Sequence, residues 1–391
     1  MLMKEDKELS DLIAISNIVG CDKTLVQGGG GNTSVKTDNG SGMYIKASGT
    51  ALGDMNFQKG WRKVKINKVK NIFEDSQLSE MDDFNRENRI VSYLLKACDD
   101  DIKENIRPSV EAPFHAILDK YVVHLHALSV LALVCAKGGK EVLEQTFSNQ
   151  RNPILWIPYA NPGYSLGIEI YKYVKDYVEK HGQLPNIIFL EKHGVIITSK
   201  SKGQILQLIK NVIDTLNNIL TNQIAKDSLY NDFTKEHLNI RNSVETALYK
   251  ITGQVCLLNQ FIDNYIINFC RRKDATKLLK SPPMTPDEMG FVENIIWLNN
   301  YDFDSVKDKI EVAIKKNDKV PTTFMTREGG LLIRANKKLS VVIRDIVAGS
   351  LFVRVEAQKF GGINSLNSQQ RKFIQNWEAE KFRVQLAAKG A

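Results

Sequence analysis

The stretch between residues 107 and 136 constrains the fold more than any other part of the sequence. It contains a short predicted helix at 110–118, an apolar strand at Tyr121–His126 and a second predicted helix at 127–136. Pro108 precedes the first helix, where a proline is tolerated. The chain therefore places an apolar strand between two helices, and its chemically active side chains lie on or beside that strand.

Two histidines lie on this strand with one residue between them. Because alternate residues of a strand point to one face, His124 and His126 converge while Leu125 packs behind them. His193 lies in a tight turn between two apolar strands, where Gly194 lets the backbone bend. Zinc commonly takes three protein nitrogens and keeps a fourth position open. The pattern leaves two interpretations, a three-histidine metal site or ordinary core and surface histidines.

Glu111 stands at the start of the short helix. A carboxylate there is stabilised by the helix dipole, or it acts as a general base beside a metal. His115 follows four residues later on the same helix face, either as a packing residue or as a ligand or partner of the site. We interpret His181 and His237, which have polar neighbours, as surface residues.

A glycine run, Gly28–Gly31, precedes Asn32 and exposes backbone N–H groups that can form an anion-binding nest. It matches neither the dinucleotide-binding fingerprint nor the phosphate loop, because a strand follows it. Ser48-Gly49-Thr50 is a second small polar turn at the end of a predicted strand. Taken alone, each segment is more typical of a turn than of a ligand site.

The remaining pattern predicts two units. Polar and charged residues at 222–245 mark a boundary, so we expect domains at 1–225 and 226–391. Predicted strands and helices follow the hydrophobic periodicity. The strands are at Val35, Met43–Ala47, 63–70, Ile187–Leu190, Val195–Thr198, 292–297 and 331–334, and the helices at 6–19, 86–98, 165–181, Lys202–Leu220, 304–315, 338–358 and 367–386.

Composition narrows the class of protein. The chain has 391 residues and a formal charge of +8, an excess compatible with anionic ligands. The lysines between 63 and 70 alternate with valines and an isoleucine, which predicts an amphipathic strand rather than a nucleic-acid surface. Five cysteines without metal or disulfide spacing, and a charged N-terminus without a signal peptide core, indicate the cytoplasm. No apolar run reaches the roughly 20 residues of a membrane-spanning helix.

Six segments in fixed order resemble the class II aldolase/adducin family over roughly residues 5–225. They are GGGGNTSVK, MYIKASGT, RPSVEAPFHAIL, YVVHLHALSVLAL, IPYANPGYSLG and LEKHGVIITS. The ordered set is far more specific than any one segment. The resemblance implies an α/β layered fold, with a central mostly antiparallel sheet flanked by helices, plus a smaller α+β C-terminal region.

The resemblance also implies a divalent metal, zinc in the first place, and a set of site residues. The implied roles are metal ligands for His124, His126 and His193; catalytic acid/base for Glu111; substrate phosphate binding for Gly31, Asn32, Ser48, Gly49 and Ser109; and, from a neighbouring subunit, protonation of the leaving aldehyde for Tyr159. It further implies a homo-oligomer, because members of the family are commonly tetramers, while the composition predicts no nucleic-acid or membrane partner.

Val110 departs from some fuculose-phosphate aldolases, which have a second serine there, and this puts the exact substrate in doubt. The apolar residue before Glu111 is similar to the aldolase half of rhamnulose-phosphate aldolase/alcohol dehydrogenase fusions. The segments SPPMTPDEMGFV, RDIVAG and FGGINSLNSQQRKFIQNWEAEKFR resemble the region on the C-terminal side of the aldolase domain in those fusions. Because the sequence has no Rossmann fingerprint, it is similar to the aldolase half of such a fusion standing alone.

The expected function is therefore a metal-dependent aldolase that cleaves or forms a C–C bond in a phosphorylated ketose through an enediolate. A sugar-phosphate epimerase or dehydratase of the same family is the first alternative. A non-catalytic adducin-like interaction protein is the second, and the retention of three histidines and Glu111 disfavours it. An unrelated metallohydrolase would not explain the glycine run and the Ser48-Gly49-Thr50 turn.

Overall fold

The computed structural model describes residues 6–102, 106–220, 233–292 and 294–389. The first half contains α1 Lys7–Gly20, β1 Asn32–Lys36, β2 Gly42–Lys46, β3 Trp61–Lys65, α2 Ile66–Glu74, α3 Gln77–Glu80, α4 Asp83–Ala97, α5 Ala112–Ile117, β4 Tyr121–Leu125, α6 Leu128–Val134, α7 Gly139–Thr146, β5 Leu155–Ile157, α8 Tyr164–His181, β6 Ile187–Leu190, β7 Gly194–Ser199 and α9 Lys202–Ile219. The second half contains α10 Lys235–Thr252, β8 Asn259–Phe261, α11 Asn264–Cys270, α12 Ala275–Leu279, α13 Pro286–Phe291, β9 Ile295–Leu298, α14 Phe303–Asn317, β10 Thr323–Thr326, β11 Gly330–Ile333, α15 Lys337–Ala357, α16 Ser368–Asn376 and α17 Glu378–Lys389.

Within the described residues, the first half forms a seven-stranded sheet in the order β3-β2-β1-β4-β7-β6-β5. Its neighbouring strands are antiparallel except for the β5–β6 pair. β4 lies at the centre and is buried on both faces, because Val123 packs with the core beneath α1, α6 and α9 while Val122 packs with the core beneath α5 and α8. The predicted layered α/β fold with a mostly antiparallel sheet is confirmed.

The described part of the second half contains a four-stranded sheet in the order β8-β11-β10-β9. Helices α10 and α14 pack on one face, around Phe324 and Leu332, and α11 and α15 pack on the other, around Met325 and Leu331. Phe352 of α15 also belongs to the core of the first half. The two halves therefore share packed apolar surface. The predicted boundary at 225/226 falls within 221–232, outside the described residues.

Three local predictions need correction. The strand predicted at 63–70 ends at Lys65 and continues as α2, because Ile66, Val69 and Ile72 are buried at helical spacing. The helix predicted at 367–386 is broken at Trp377, whose backbone is extended. The strand predicted to include His126 ends one residue earlier, at Leu125. In addition, α10 begins inside the polar stretch that was expected to be a boundary.

Helices long and apolar enough to cross a membrane are absent from the described ranges of the chain.

Candidate functional site

Three imidazoles meet at the end of β4. One ring nitrogen from each of His124, His126 and His193 lies within 4.8 Å of the other two, and all three residues are buried. His193 comes from the turn between β6 and β7, which approaches β4 closely at Gly194. A Cβ atom at Gly194 would stand 2.3 Å from the carbonyl oxygen of Leu125, so only glycine permits this approach. The structure thus brings together the three predicted ligands.

The hydrogen bonds of two rings fix their tautomers. His124 Nδ1 donates to the carbonyl oxygen of Val195 at 3.0 Å, and His126 Nδ1 donates to the Asp287 carboxylate. Burial lowers the pKa of His124 to about 4, so its ring is neutral near pH 7. The Nε2 atom of His124 then carries a lone pair, and it lies 3.0 Å from His126 Nε2. A neutral imidazole nitrogen is a ligand that zinc favours. The donor set therefore fits a divalent metal.

His193 completes the set as a neutral ring. Burial lowers its pKa to about 3. Its Nδ1 atom has no hydrogen-bond partner among the described residues, and its Nε2 atom lies 3.5 Å from Glu111 Oε1. Nε2 is therefore the ring nitrogen of His193 that faces Glu111.

Glu111 stands just before α5 and points at the histidines. Its Oε2 atom lies 3.8 Å from His124 Nε2 and accepts a hydrogen bond from Asn32 Nδ2. Asn32 is the cross-strand partner of His124 in the β1–β4 pair, which explains why the amide reaches this position. Burial raises the pKa of Glu111, but the three histidines and the Asn32 amide outweigh it and lower the pKa. The carboxylate is therefore ionised at neutral pH and can accept a proton.

A small pocket of about 60 Å³ opens beside Glu111. It is lined by every residue predicted to bind phosphate, namely Gly31, Asn32, Ser48, Gly49 and Ser109. We call these five residues the cradle. The cradle needs glycine at position 31, because its φ is +62° and a Cβ atom there would lie 2.7 Å from the carbonyl oxygen of His124. The Asn32 Oδ1 atom has no hydrogen-bond partner in the described part of the chain.

Lys46 supplies a positive charge to the cradle, and the sequence interpretation missed it. Its Nζ atom donates to the carbonyl oxygens of Gly29 and Gly31, each at 2.7 Å. Burial lowers its pKa to about 7, with the Arg383 guanidinium acting in the same direction and the carboxylates of Glu111 and Asp287 opposing it. An anion held in the cradle beside Lys46 would therefore bind in a pH-dependent way.

We expect sulfate to bind most tightly below pH 7 and to weaken as pH rises to 8.5, because only protonated Lys46 attracts an anion. Sulfate keeps a constant charge over this range, so the change reports on the protein. Isothermal titration calorimetry between pH 6 and 8.5 measures it. The Lys46→Arg variant is the control: its guanidinium stays charged, so its affinity should be almost independent of pH. An equal pH dependence in that variant would contradict the assignment to Lys46.

Helix α17 covers the cradle. Phe382 lines the pocket, and Leu386 packs against Gly49, where a Cβ atom would lie 2.1 Å from the leucine Cδ1 atom. The helix is held by Arg107, whose Nη1 atom lies 2.8 Å from Glu378 Oε1 and whose guanidinium lies 4.4 Å from the centre of the Phe382 ring. The C-terminal half thus forms one wall of the site.

Two other residues of the C-terminal half reach the site and were not predicted. Asp287 of α13 contacts His126, and Arg383 of α17 donates to Asp287 at 2.8 Å. Thr285 and Pro286 carry the signal of a helix start, with Thr285 as N-cap, but this signal does not place the helix near His126. The sequence separation of 161 residues hides the contact.

The remaining candidate residues lie elsewhere. His115 is buried outside the three-histidine cluster, with its Nδ1 atom 2.7 Å from Ser34 Oγ. Tyr159 does not line the cradle of its own chain, and its hydroxyl donates to Asn161 Oδ1 at 3.3 Å. Its predicted action from a neighbouring subunit stays a prediction. The His181 ring lies 4.4 Å from the Tyr177 ring at a tilt of 42°, and His237 caps the start of α10.

Comparisons with known proteins found similar chains. A curated relative, the uncharacterized oxidoreductase YuxG of Bacillus subtilis, is 26% identical over 232 residues, 57% of this chain and 31% of its own length. The chain therefore spans about a third of that relative. An N-terminal class II aldolase domain from Thermoplasma acidophilum is 24% identical over 56% of this chain and 96% of that one, with a TM-score of 0.45. YgbL of Klebsiella pneumoniae, a putative aldolase/epimerase/decarboxylase, is 18% identical over 56% of this chain and 90% of that one, with a TM-score of 0.38.

The sequence model of the family described as the class II aldolase and adducin N-terminal domain matches residues 10–215. This segment contains the seven-stranded sheet, the three histidines, Glu111 and the cradle. It covers more than half of the chain. The protein therefore belongs to the class II aldolase/adducin family.

Proposed function

We propose that the protein is a metal-dependent aldehyde-lyase that cleaves or forms a C–C bond in a phosphorylated ketose. His124, His126 and His193 would hold the metal, zinc or another divalent ion. A cation bound there would supply a Lewis acid for the carbonyl and hydroxyl oxygens of the substrate. The remaining steps fall to side chains of this chain, and we place the enzyme in the cytoplasm as a homo-oligomer.

Glu111 is the proposed acid/base. In the direction of bond formation its carboxylate takes a proton from the carbon next to the ketone carbonyl, and in the direction of cleavage it returns that proton. Three features support this role: its lowered pKa, its hydrogen bond from Asn32 and its position 3.5 Å from His193 Nε2. Asn32 orients the carboxylate, so that an oxygen atom stays directed at the ligand set.

The cradle is the proposed site of the substrate phosphate. Gly31 and Gly49 allow backbone close to the anion, Ser48 and Ser109 offer hydroxyls, and Lys46 offers a buried ammonium. Together they fix one end of a sugar phosphate while the other end lies beside Glu111. Binding energy from such a remote group orients the reacting carbons.

One observation carries the proposal. An ionised, largely buried carboxylate with a side chain 12% exposed lies between a three-histidine cluster and the proposed anion cradle, which the buried Lys46 contacts. A protein that served only as a scaffold would gain nothing from burying this set of polar groups, because each costs free energy to desolvate. The arrangement instead matches proton transfer next to a polarised carbonyl.

The full chain, loaded with zinc, manganese or cobalt, tests the proposal against a panel of ketose 1-phosphates. We expect aldehyde and dihydroxyacetone phosphate to appear in equal amounts, measured by coupled reduction and by mass spectrometry. Formation of an epimeric sugar phosphate without aldehyde would identify an epimerase in place of a lyase. Loss of water from the substrate would identify a dehydratase. No turnover of any phosphorylated sugar by metal-loaded protein would overturn an enzymatic role for this site.

A further inference from the structure

We infer that Asp287 is the positioning residue that orients His126 as a metal ligand, so that the C-terminal half completes the metal centre. The inference deepens the proposed function and rests on its metal site. It assigns a role to a residue outside the family's matched segment of 10–215. The contact joins α13 of the second half to the end of β4 in the first.

The geometry at His126 is that of a carboxylate–histidine pair. His126 Nδ1 donates to Asp287 Oδ2, and the two side chains are only 8% and 7% exposed. With Nδ1 bound to Asp287, the other ring nitrogen, Nε2, faces His124 Nε2 at 3.0 Å. Carboxylate partners of this kind hold a metal-binding imidazole in one tautomer and raise its basicity. The corresponding Nδ1 atom of His124 donates to the carbonyl oxygen of Val195 and not to a carboxylate.

A second hydrogen bond, from Arg383, fixes the carboxylate of Asp287. Its second oxygen, Oδ1, accepts from Arg383 Nη2 at 2.8 Å, and Arg383 Nη1 donates to Glu380 Oε2 at 2.9 Å. Both of these residues belong to α17. With one oxygen bound to Arg383, the carboxylate presents the other to His126 in a single orientation.

Helix α13 is also fixed in place. Its N-cap residue, Thr285, accepts from the backbone N–H of Glu288 at 3.2 Å. The Glu288 carboxylate lies 2.8 Å from Arg354 Nη1 of α15, and that arginine also donates to the carbonyl oxygens of Ser281 and Pro282. A buried and hydrogen-bonded support of this kind keeps Asp287 within reach of His126. The segment from Ser281 to the end of α13 therefore holds the carboxylate that orients one proposed metal ligand.

The test is zinc affinity in the full chain, measured by competition with a chromogenic chelator at pH 7.5. We expect Asp287→Asn to weaken zinc binding about 10- to 100-fold, because the amide keeps the shape and loses the charge. The matched control is Asp263→Asn, which removes another buried carboxylate of the C-terminal half. Asp263 is 2% exposed and pairs with Arg344 at 3.1 Å. The control should lower thermal stability without changing zinc affinity.

A second measurement separates orientation from stability. In zinc-free protein, ¹⁵N NMR of the histidine rings should show His126 protonated at Nδ1, and Asp287→Ala should produce a mixture of tautomers. A folded Asp287→Asn protein with wild-type zinc affinity would overturn the inference. So would a His126 tautomer that is unchanged in Asp287→Ala. These readouts do not depend on turnover: a protein with Asp287-dependent zinc binding but no lyase activity would refute the proposed function and leave this inference intact.

Discussion

The Glu111→Gln variant is expected to lose about 10²- to 10⁴-fold in kcat for the ketose phosphate that the wild type cleaves. Glutamine has nearly the same shape, and its amide oxygen can still accept the hydrogen bond from Asn32 Nδ2. It cannot accept a proton from carbon, so the loss falls on the chemical step. Steady-state kinetics with the metal-loaded protein measure the change.

Zinc content separates this effect from damage to the metal site. Because Glu111 is not one of the three predicted ligands, the Gln variant should bind zinc in the same ratio as the wild type. The matched control is Glu169→Gln on α8, which removes a surface carboxylate 37% exposed and should leave kcat unchanged. Undiminished turnover in Glu111→Gln would remove this residue from the mechanism.

The second large effect is expected for His126→Ala, which should abolish stoichiometric zinc. Two imidazoles remain, and Asp287 loses the donor to its Oδ2 atom while Arg383 still donates to Oδ1. The loss should exceed the roughly 10- to 100-fold weakening typical when only a partner of a ligand is removed. Zinc is measured by mass spectrometry of the metal after gel filtration.

The matched control for this variant is His181→Ala. That ring lies at the end of α8, 4.4 Å from the centre of the Tyr177 ring, so the variant should keep one zinc per chain. Full zinc retention in His126→Ala would show that the metal, if any, is held elsewhere. Thermal unfolding with and without added zinc provides an independent reading, because a ligand that binds only the folded state raises Tm.

Local pattern predicted where two histidines of the first sheet lie, but it left their role open. Alternation along β4 predicted that His124 and His126 converge, and the glycine after His193 predicted the tight turn that carries it there. The cradle was predicted by resemblance rather than by spacing. The structure brings these residues together, while their roles stay predictions until the variants are made.

The features that the sequence did not predict depend on contacts between distant segments. Asp287 is 161 residues from His126, and Arg107 is 271 residues from Glu378. Lys46 looks like an ordinary strand residue until the glycine run folds over its ammonium group. Elsewhere, the spacing of the lysines between 63 and 70 is compatible with the period of a strand and with that of a helix. The structure shows a helix after Lys65, because the buried face of α2 has helical spacing.

The position of α17 over the cradle affects the binding affinity that an experiment would measure. Binding pockets for small molecules usually measure about 300–1,000 Å³, whereas the space left under α17 is about 60 Å³. A sugar phosphate that needs more room than this would enter only the fraction of molecules in which α17 has moved aside. The observed Kd equals the intrinsic Kd divided by that fraction, so a helix displaced in one molecule in a hundred weakens apparent binding about 100-fold. Substitutions at Leu386 that weaken its contact with Gly49 would then tighten the apparent affinity by favouring the open form.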